Sequence, residues 1–546
     1  MRLPDERDPR LHELEDQEFD ILIVGAGIYG ATLACATARA GFSVAMIDRD
    51  DYGAGASAHS MKILHGGLRY LQQFNLPRMR QSILSRRDGL LRLPYLTHPM
   101  AFLAPTERSF TRSRLAFEVA ARLNDGIGLD RNHHLARGWR IPPTRVLSSA
   151  EAEPWAPGLD LQGHPALLWH DGFIHNTERY TLAYVLSARE AGARVVNYVR
   201  AQALKTRNGR IEGVEAQDQR SGRTLTIRAR LTVNATSAWR HTWNTGENPE
   251  DQVWVRSMNV MVRRQWFGPA AAVGRSNGVR NFFFVPWRGG TIIGTANARH
   301  TGDPDRKPVT RAELAGLVDR IRQVFPACGL EVRDVCHVHA GVLPGCVVRG
   351  GRGELEPDDR TRILWGGPRG NQPGYLVVQG VKYTTAAWWA DQVARRIAAR
   401  AGRSIGRDIR PLYGAEAMPD ESDLQAEAAR SGWNLPLPVA RNLLNHFGAR
   451  TSATLRLAAD HPELRAPVPG LDLPGAAIAF CVAHEDALHL TDIVLRRTEA
   501  GTFGRPAPDT LGRIADLMAD ALGWSAAKRE DEIRRVDIHY QNLGLE

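Results

Sequence analysis

Long apolar runs are missing from this chain of 546 residues. No stretch approaches the ~18 consecutive apolar residues that a spanning helix needs, so none is expected to cross a membrane. Cysteine is scarce, with five residues at positions 35, 328, 336, 346 and 481. They form no CxxC pair and join no His-rich cluster, which argues against a metal site and against a disulfide framework. Reduced thiols suit the cytoplasm, and no N-terminal apolar stretch reads as a signal peptide. Acidic residues are outnumbered, 60 against 70 Lys and Arg, leaving a formal net charge of +10. No nucleic-acid motif accompanies that charge, so a nucleic-acid partner is not expected. An anionic membrane surface is consistent with it. Short internal repeats are also absent. The length exceeds what one core usually supports, so two or three domains are expected.

What is present is glycine at a fixed spacing. In "FDILIVGAGIYGATLACATARAGFSVAMID" (19–48), Ile21 to Val24 form an apolar run suited to a buried parallel strand. Gly25, Gly27 and Gly30 follow as G-x-G-x-x-G. The first permits a tight turn, the second a close approach to a pyrophosphate, and the third close helix–strand packing. Ala31, Ala34, Cys35 and Ala38 keep the following helix slim, and its N-terminus favours phosphate. Ser43 to Ile47 read as a second strand. Asp48 ends it, 18 residues beyond Gly30, placed to accept hydrogen bonds from a ribose without a 2′-phosphate. The next segment, "DDYGAGASAHSMKILHGGLRYL", is polar and dotted with glycine where a simple nicotinamide enzyme would begin another helix. That favours a flavin dinucleotide. Further on, "RSFTRSRLAFEVAARL" (108–123) sets basic residues around Phe110, Leu115, Phe117, Val119 and Leu123. It suits either a helix lying in a lipid headgroup layer or an ordinary packed helix.

Seven stretches carry a family likeness: "DILIVGAGIYGA", the "KILHGGLRYL" segment, "HPMAFLAP", "TVNAT", "FFVPWRGGTIIGTANARHTGDP", "HAGVLP" and "VQGVKYTTA". With "HEDALHLTDIVLRRTEAGTF" (484–503), the chain resembles the FAD-dependent glycerol-3-phosphate dehydrogenases, among the D-amino-acid-oxidase-like flavoproteins. The likeness runs from about residue 19 to about 540. It implies an α/β fold: a Rossmann-like FAD-binding domain, a mixed-sheet substrate cap and a C-terminal all-helical domain. The FAD-binding parts would be 19–95, 166–254 and 336–410. A loose arm (1–18), a cap or membrane-facing segment (96–165), a substrate-cap sheet (255–335) and the helical domain (411–546) complete the division.

The resemblance implies cofactor contacts at Gly25, Gly27, Gly30, Asp48, Ser57, Ser60, Lys62, His65, Gly66, Gly67, Ala235, Thr236, Gly380, Lys382, Tyr383 and Thr384. Arg69, Tyr70, Lys382 and His65 become the catalytic and substrate-contacting candidates. An Arg can grip an anion with two hydrogen bonds. A Lys beside a flavin can favour its anionic reduced form, or move a proton if burial lowers its pKa. Lys62 can instead steady the cofactor loop, and His65 can cap it. A covalent link to FAD would need a suitably placed His or Cys beside the ring, and His59 and His65 are candidates.

The departures fall on the phosphate-holding half. Leu343 stands where the family has Arg, Asp358 aligns with a second Arg, and Asn259 replaces a His. Ala296 and Asn297 replace Thr and Asp, and "GVK" replaces "GGK". Arg349, Arg352, Arg360 and Arg369 lie in nearby loops and could compensate. The expected activity is oxidation of a secondary alcohol by hydride transfer to flavin N5. Glycerol 3-phosphate or a related polyol or glycerol-phosphate compound is the expected substrate. Quinone is the expected electron acceptor, at the inner face of the cell membrane, and a homodimer is allowed. The alternatives are an amine or amino-acid oxidase that passes electrons to oxygen, and a non-catalytic flavin-binding module.

Overall fold

The computed structural model describes residues 9–106, 113–157, 161, 163–240, 252–268, 271–276, 281–305, 309–347 and 355–545. Among these, two sheets and a helical C-terminal region make up the architecture.

The first sheet grows from the expected nucleotide-binding strand. Glu18–Val24 pairs in parallel with Val44–Ile47 on one side and with Thr224–Asn234 on the other. Arg194–Val196 extends one edge, and Tyr375–Gln379 with Arg362–Trp365 extends the other. The chain's alternation accounts for its two covered faces. Ile21 and Ile23 enter one core with the helices Ile28–Arg39, Thr177–Glu190 and Ala386–Arg400, while Leu22 and Val24 enter the opposite one. Val44 to Ile47 are buried throughout, as a central parallel strand requires.

A ten-stranded, largely antiparallel sheet lies beside it. Its centre is Trp254–Val262, flanked by Gly290–His300 and by Val335–Val347. Three of its strands depart from the expected division. Ala166–Ile174 was assigned to the FAD-binding part but pairs with Thr97–Pro105 in this second sheet. Val335–Val347, expected to start the last FAD-binding part, runs beside Trp254–Val262. Ile63–Leu64 joins the same sheet through Ala166–Ile174. The boundaries shift because sheet membership is set by distant pairing. The N-terminal arm also differs: Pro9–Glu15 is a helix whose Leu11 and Leu14 are buried in the nucleotide-binding core. Residues 1–8 lie outside the described part.

From Asp420 the chain is helical, as its periodicity predicts. Asp420 accepts the backbone N–H of Asp423 and opens Glu421–Arg430 with a capping box. Leu424, Leu443, Ile478, Ile514 and Val536 share one core with Met258 and Val260 of the second sheet. A buried ion cluster ties the same region to the nucleotide-binding part. Arg497 donates to both oxygens of Asp51 at 2.8 Å, Arg496 bonds Asp51 and Asp492, and Arg179 grips Glu485 at 2.9 and 3.0 Å. No helix among the described residues is long and apolar enough to cross a membrane.

Candidate functional site

A continuous cavity of about 2130 Å³ runs from the glycine turn, between the two sheets, to an apolar mouth. It exceeds the roughly 300–1,000 Å³ typical of one small-ligand site. Room for a dinucleotide together with a substrate follows.

The inner end is built by the first strand, its turn and the second strand. Gly25 has φ +103°, and a Cβ there would lie 2.9 Å from the Ala235 carbonyl oxygen. At Gly30 a Cβ would collide with that turn, so Gly30 acts behind the cavity wall. Gly27 lines the cavity and precedes the helix Ile28–Arg39 without a side-chain cap, which leaves the helix start facing inward. Ser57 Oγ accepts the Ile28 N–H at 2.9 Å and fixes the polar loop against the helix. Asp48 accepts the N–H groups of Ala26 at 2.6 Å and Asp50 at 3.0 Å. Burial, and then the charge of Asp50, push its carboxyl up to about 7. Donors that supplied hydrogen bonds would favour its ionised form. Ala235, Thr236 and Trp239 close this end, and Asp305 accepts the Trp239 Nε1–H at 2.7 Å.

Further along, the cavity is lined by Ser60, His65, Gly67, Gly380, Lys382, Tyr383 and Thr384. Thr384 Oγ1 accepts the His65 backbone N–H at 3.0 Å, joining the "HGG" turn to the start of the helix Ala386–Arg400. The Tyr383 hydroxyl donates to the Thr177 carbonyl at 2.7 Å. His59 and His65 both line the cavity.

Lys62 and Gly66 sit behind it. Lys62 has φ +62° and a fully buried side chain. Its Nζ donates to the Ala58 carbonyl at 3.0 Å, to Thr177 Oγ1 at 2.7 Å and to Glu178 Oε1 at 2.7 Å. Its ammonium therefore steadies the cofactor loop from inside. Gly66 donates its N–H to Asp171 Oδ1 at 2.6 Å. Asp171 also takes the Arg86 guanidinium at 2.7 Å and the Trp169 Nε1–H at 3.3 Å. Burial opposes its charge, yet His65 and Arg86 hold its carboxyl below the usual range. Asp171 is the main positioning residue that sequence reasoning missed. Its one local signal is the "HDG" triplet, which carries no fixed chemistry.

The outer polar region gathers Arg69, Tyr70 and Lys382 as expected. It also holds groups the sequence could not place. Lys382 Nζ lies 3.2 Å from Asp359 and 4.4 Å from the centre of the Tyr70 ring. Burial, with repulsion from Arg69, pulls its pKa down to about 8. Arg69 is 65% exposed and reaches Glu356 at 3.7 Å. Arg78 pairs with Asp359. Leu343 lines the cavity, so no cation occupies that position. Asp358 is buried and is held by Arg360 at 3.0 Å and Arg362 at 2.9 Å. Arg360 lines the cavity, whereas Arg369 is exposed outside its lining. Arg349 and Arg352 lie outside the described residues. Asn259, buried, donates from Nδ2 to the His59 carbonyl at 3.0 Å and accepts the Thr295 hydroxyl at 2.8 Å. Ala296 is buried beneath the sheet, while Asn297 lines the cavity.

The mouth is apolar. The helix Arg114–Ile127, capped by Ser113, buries Phe117 and Ala121 but leaves Leu115, Val119 and Leu123 exposed along the mouth. Phe74 stands beside them, 90% exposed. Phe110 lies outside the described residues.

A glycine turn with its acid, a turn bridged to a second helix start, and a cavity joining both can be compared with known proteins. Residues 20–396 match the family model of the DAO FAD-dependent oxidoreductases. The chain belongs to that family. Residues 408–529 match the C-terminal domain of alpha-glycerophosphate oxidase. A glycerol-3-phosphate dehydrogenase of Synechocystis is 27% identical, covering 96% of each chain. Glycerol-3-phosphate dehydrogenase 2 of Mycobacterium tuberculosis is 28% identical, covering 97% of this chain and 89% of the relative. The FAD complex of a Bacillus halodurans glycerol-3-phosphate dehydrogenase shares the fold, with TM-score 0.75 and 18% identity over 99% of this chain. A glycine oxidase from Geobacillus kaustophilus shares it over 72% of this chain, with TM-score 0.51 and 19% identity. The protein is thus an FAD-dependent oxidoreductase. Its residues fit the cofactor: at Gly25 a Cβ would press on the Ala235 backbone, so only glycine permits the tight turn, and the acid Asp48 lines the same cavity just beyond the second strand.

Proposed function

We propose that this oxidoreductase oxidises the secondary alcohol of glycerol 3-phosphate or a closely related glycerol-phosphate compound. The observation that carries the reading is the single cavity linking the Gly25–Asp48 end to the Arg69–Tyr70–Lys382 end. The names of the relatives and the match of the C-terminal domain support an alcohol over an amine.

FAD, when bound, supplies the hydride acceptor at N5. The chain's own groups do the rest. Lys382 and Arg69 bind the anionic end of the substrate, and Tyr70 stacks beneath the Lys382 ammonium. Near neutral pH the Lys382 ammonium holds charge. Above about 8 its free amine can take a proton at Nζ. Asp171 and Thr384 fix the turn that carries Arg69. Asp359 and Glu356 partly neutralise the cations, so a phosphate monoester competes with carboxylates already in place. That competition weakens affinity without abolishing it.

Anaerobic mixing of the holoenzyme with sn-glycerol 3-phosphate tests the reading. Loss of the flavin's visible absorbance is expected. An unbleached spectrum at millimolar substrate, with bleaching by another glycerol-phosphate compound, would move the substrate within the class. No bleaching by any of them would end the reading.

The apolar mouth supports a quinone acceptor reached from an anionic membrane. Leu115, Val119 and Leu123 follow one helical face, and Arg114 and Arg122 flank them in solvent. Co-sedimentation with liposomes should rise with anionic lipid content. Indifference to lipid charge would count against this acceptor.

A further inference from the structure

A row of histidines crosses the second sheet. His59 ends the short helix Ala56–His59 and lines the cavity. Its ring centre lies 5.9 Å from that of His339, which is 4.7 Å from His337, which is 6.1 Å from His539. His337 and His339 are alternate residues of Val335–Val347 and share one face. Gly341 continues that face, and a Cβ there would lie 3.2 Å from Ala56 Cα, so the strand and the cofactor loop are pressed together. His539 sits half-buried on the last helix, Ala526–Gln541.

The two central rings are 5% and 6% exposed. His337 Nδ1 and His339 Nε2 meet no hydrogen-bond partner among the described residues. Buried ring nitrogens of that kind are rare, and they mark places where water bridges polar groups. A pair of apolar rings would fill the same space without the desolvation cost. At these ring-centre spacings, bridging water would join one imidazole to the next.

We propose that His59, His339, His337 and His539 form a proton path from the cavity to the surface of the C-terminal helical region. The source of the proton rests on the alcohol-oxidation reading. The carbinol's O–H proton, given up to Lys382 Nζ or to water in the cavity, would pass from there to His59, which lines the same cavity. Each neutral imidazole takes a proton on one nitrogen and gives one up from the other. The proton leaves at His539, half-buried on the last helix, and every ring ends neutral with its tautomer reversed.

The surrounding groups keep the middle of the row neutral. Burial, with His539 and Lys62, holds His337 down to about 3, and burial with His337, Lys62, His59 and Arg288 holds His339 well below its usual value. Lys62 Nζ lies 4.9 Å from the Trp287 ring, which stands 5.8 Å from His339. Tyr540 packs 5.8 Å from His337. Protonation of His337 is thereby disfavoured at pH 7, so a proton passes through the ring without resting on it. The row transmits protons and does not store them.

The test uses full-length holoenzyme in weak buffer with a pH-indicating dye. In the first arm the flavin is photoreduced without substrate and reoxidised by ferricyanide, which takes electrons only, so the flavin must release protons. Wild type should release them as fast as it is reoxidised. His339→Phe should reoxidise normally but release protons at least tenfold later, with the lag lengthened in deuterium oxide and shortened by added imidazole. Coincident traces in the variant would overturn the path. The second arm repeats the measurement with sn-glycerol 3-phosphate as reductant. Failure of wild type to be reduced there defeats the substrate reading while the first arm still judges the path. If His339→Phe does not load FAD, His539→Phe at the surface end is measured in its place, with the same lag expected and coincident traces again overturning the path.

Discussion

Replacing Leu343 with Arg should convert a weak anion site into a stronger one. Leu343 lies opposite Val255 on the strand Val335–Val347 and faces the cavity. The neighbouring carboxylate would not consume the new charge, because Asp358 is already held by Arg360 at 3.0 Å and Arg362 at 2.9 Å. One charge-assisted contact contributes about 1.5–3 kcal/mol. That corresponds to roughly 10–150-fold in affinity, and partial exposure with salt screening favours the lower end. The assay is an anaerobic titration of holoenzyme followed by flavin absorbance, with sn-glycerol 3-phosphate and with uncharged glycerol. The dissociation constant for the phosphate ester should fall about tenfold, while glycerol should be unaffected. If both compounds respond equally, or neither does while FAD loading and melting temperature are unchanged, Leu343 is not at the anion end and the orientation of substrate proposed above is wrong.

Other consequences are as direct. Lys382→Met should weaken binding of an anionic substrate by about tenfold or more. In wild type the same affinity should decline as pH rises through about 8, because the ammonium form is the one present below that value; a flat profile would contradict the assignment. FAD should bind the apoprotein more tightly above pH 7 than below it. The free Asp48 carboxyl titrates near 7 and a ribose favours its ionised form, so affinity should drop up to about tenfold per pH unit on acidification, an effect absent in Asp48→Asn. Arg497→Met strands Asp51 with one cation fewer in a buried site and should cost about 3–5 kcal/mol in urea unfolding. Leu115→Glu with Leu123→Glu should abolish liposome binding while leaving reduction by substrate intact.

The nucleotide-binding end was legible in the sequence because its chemistry is local. Gly25, Gly27, Gly30 and Asp48 lie within one strand–turn–helix–strand unit, and spacing alone defines their geometry. Arg69, Tyr70 and Lys382 were legible as a set only through the likeness of whole motifs, since more than three hundred positions separate Lys382 from the Arg69–Tyr70 pair. What could not be read depends on pairing between distant strands. Nothing in "LWHDGF" announces that Asp171 will hold Gly66, because the contact exists only once Ile63–Leu64 has joined Ala166–Ile174. Lys62 was readable as a cofactor contact or as a brace for the loop, and the acid at Glu178, supplied by a distant helix, makes it the brace. Asp359 and Glu356 approach Lys382 and Arg69 only across distant segments of the fold, so their contacts had no sequence signature.

The ion cluster at Asp51 has a consequence for how the protein is made. Asp51 follows the ribose acid by three positions, but its partner Arg497 comes 446 residues later. Translation at ~5–20 residues per second places about 20–90 s between the two. Throughout that interval the cofactor loop carries an acid whose cations do not yet exist, and Arg179 awaits Glu485 in the same way. The loop after the second strand, among the first segments to leave the ribosome, is therefore among the last to gain its partners. The support beneath the cofactor loop is thus completed only near the end of synthesis.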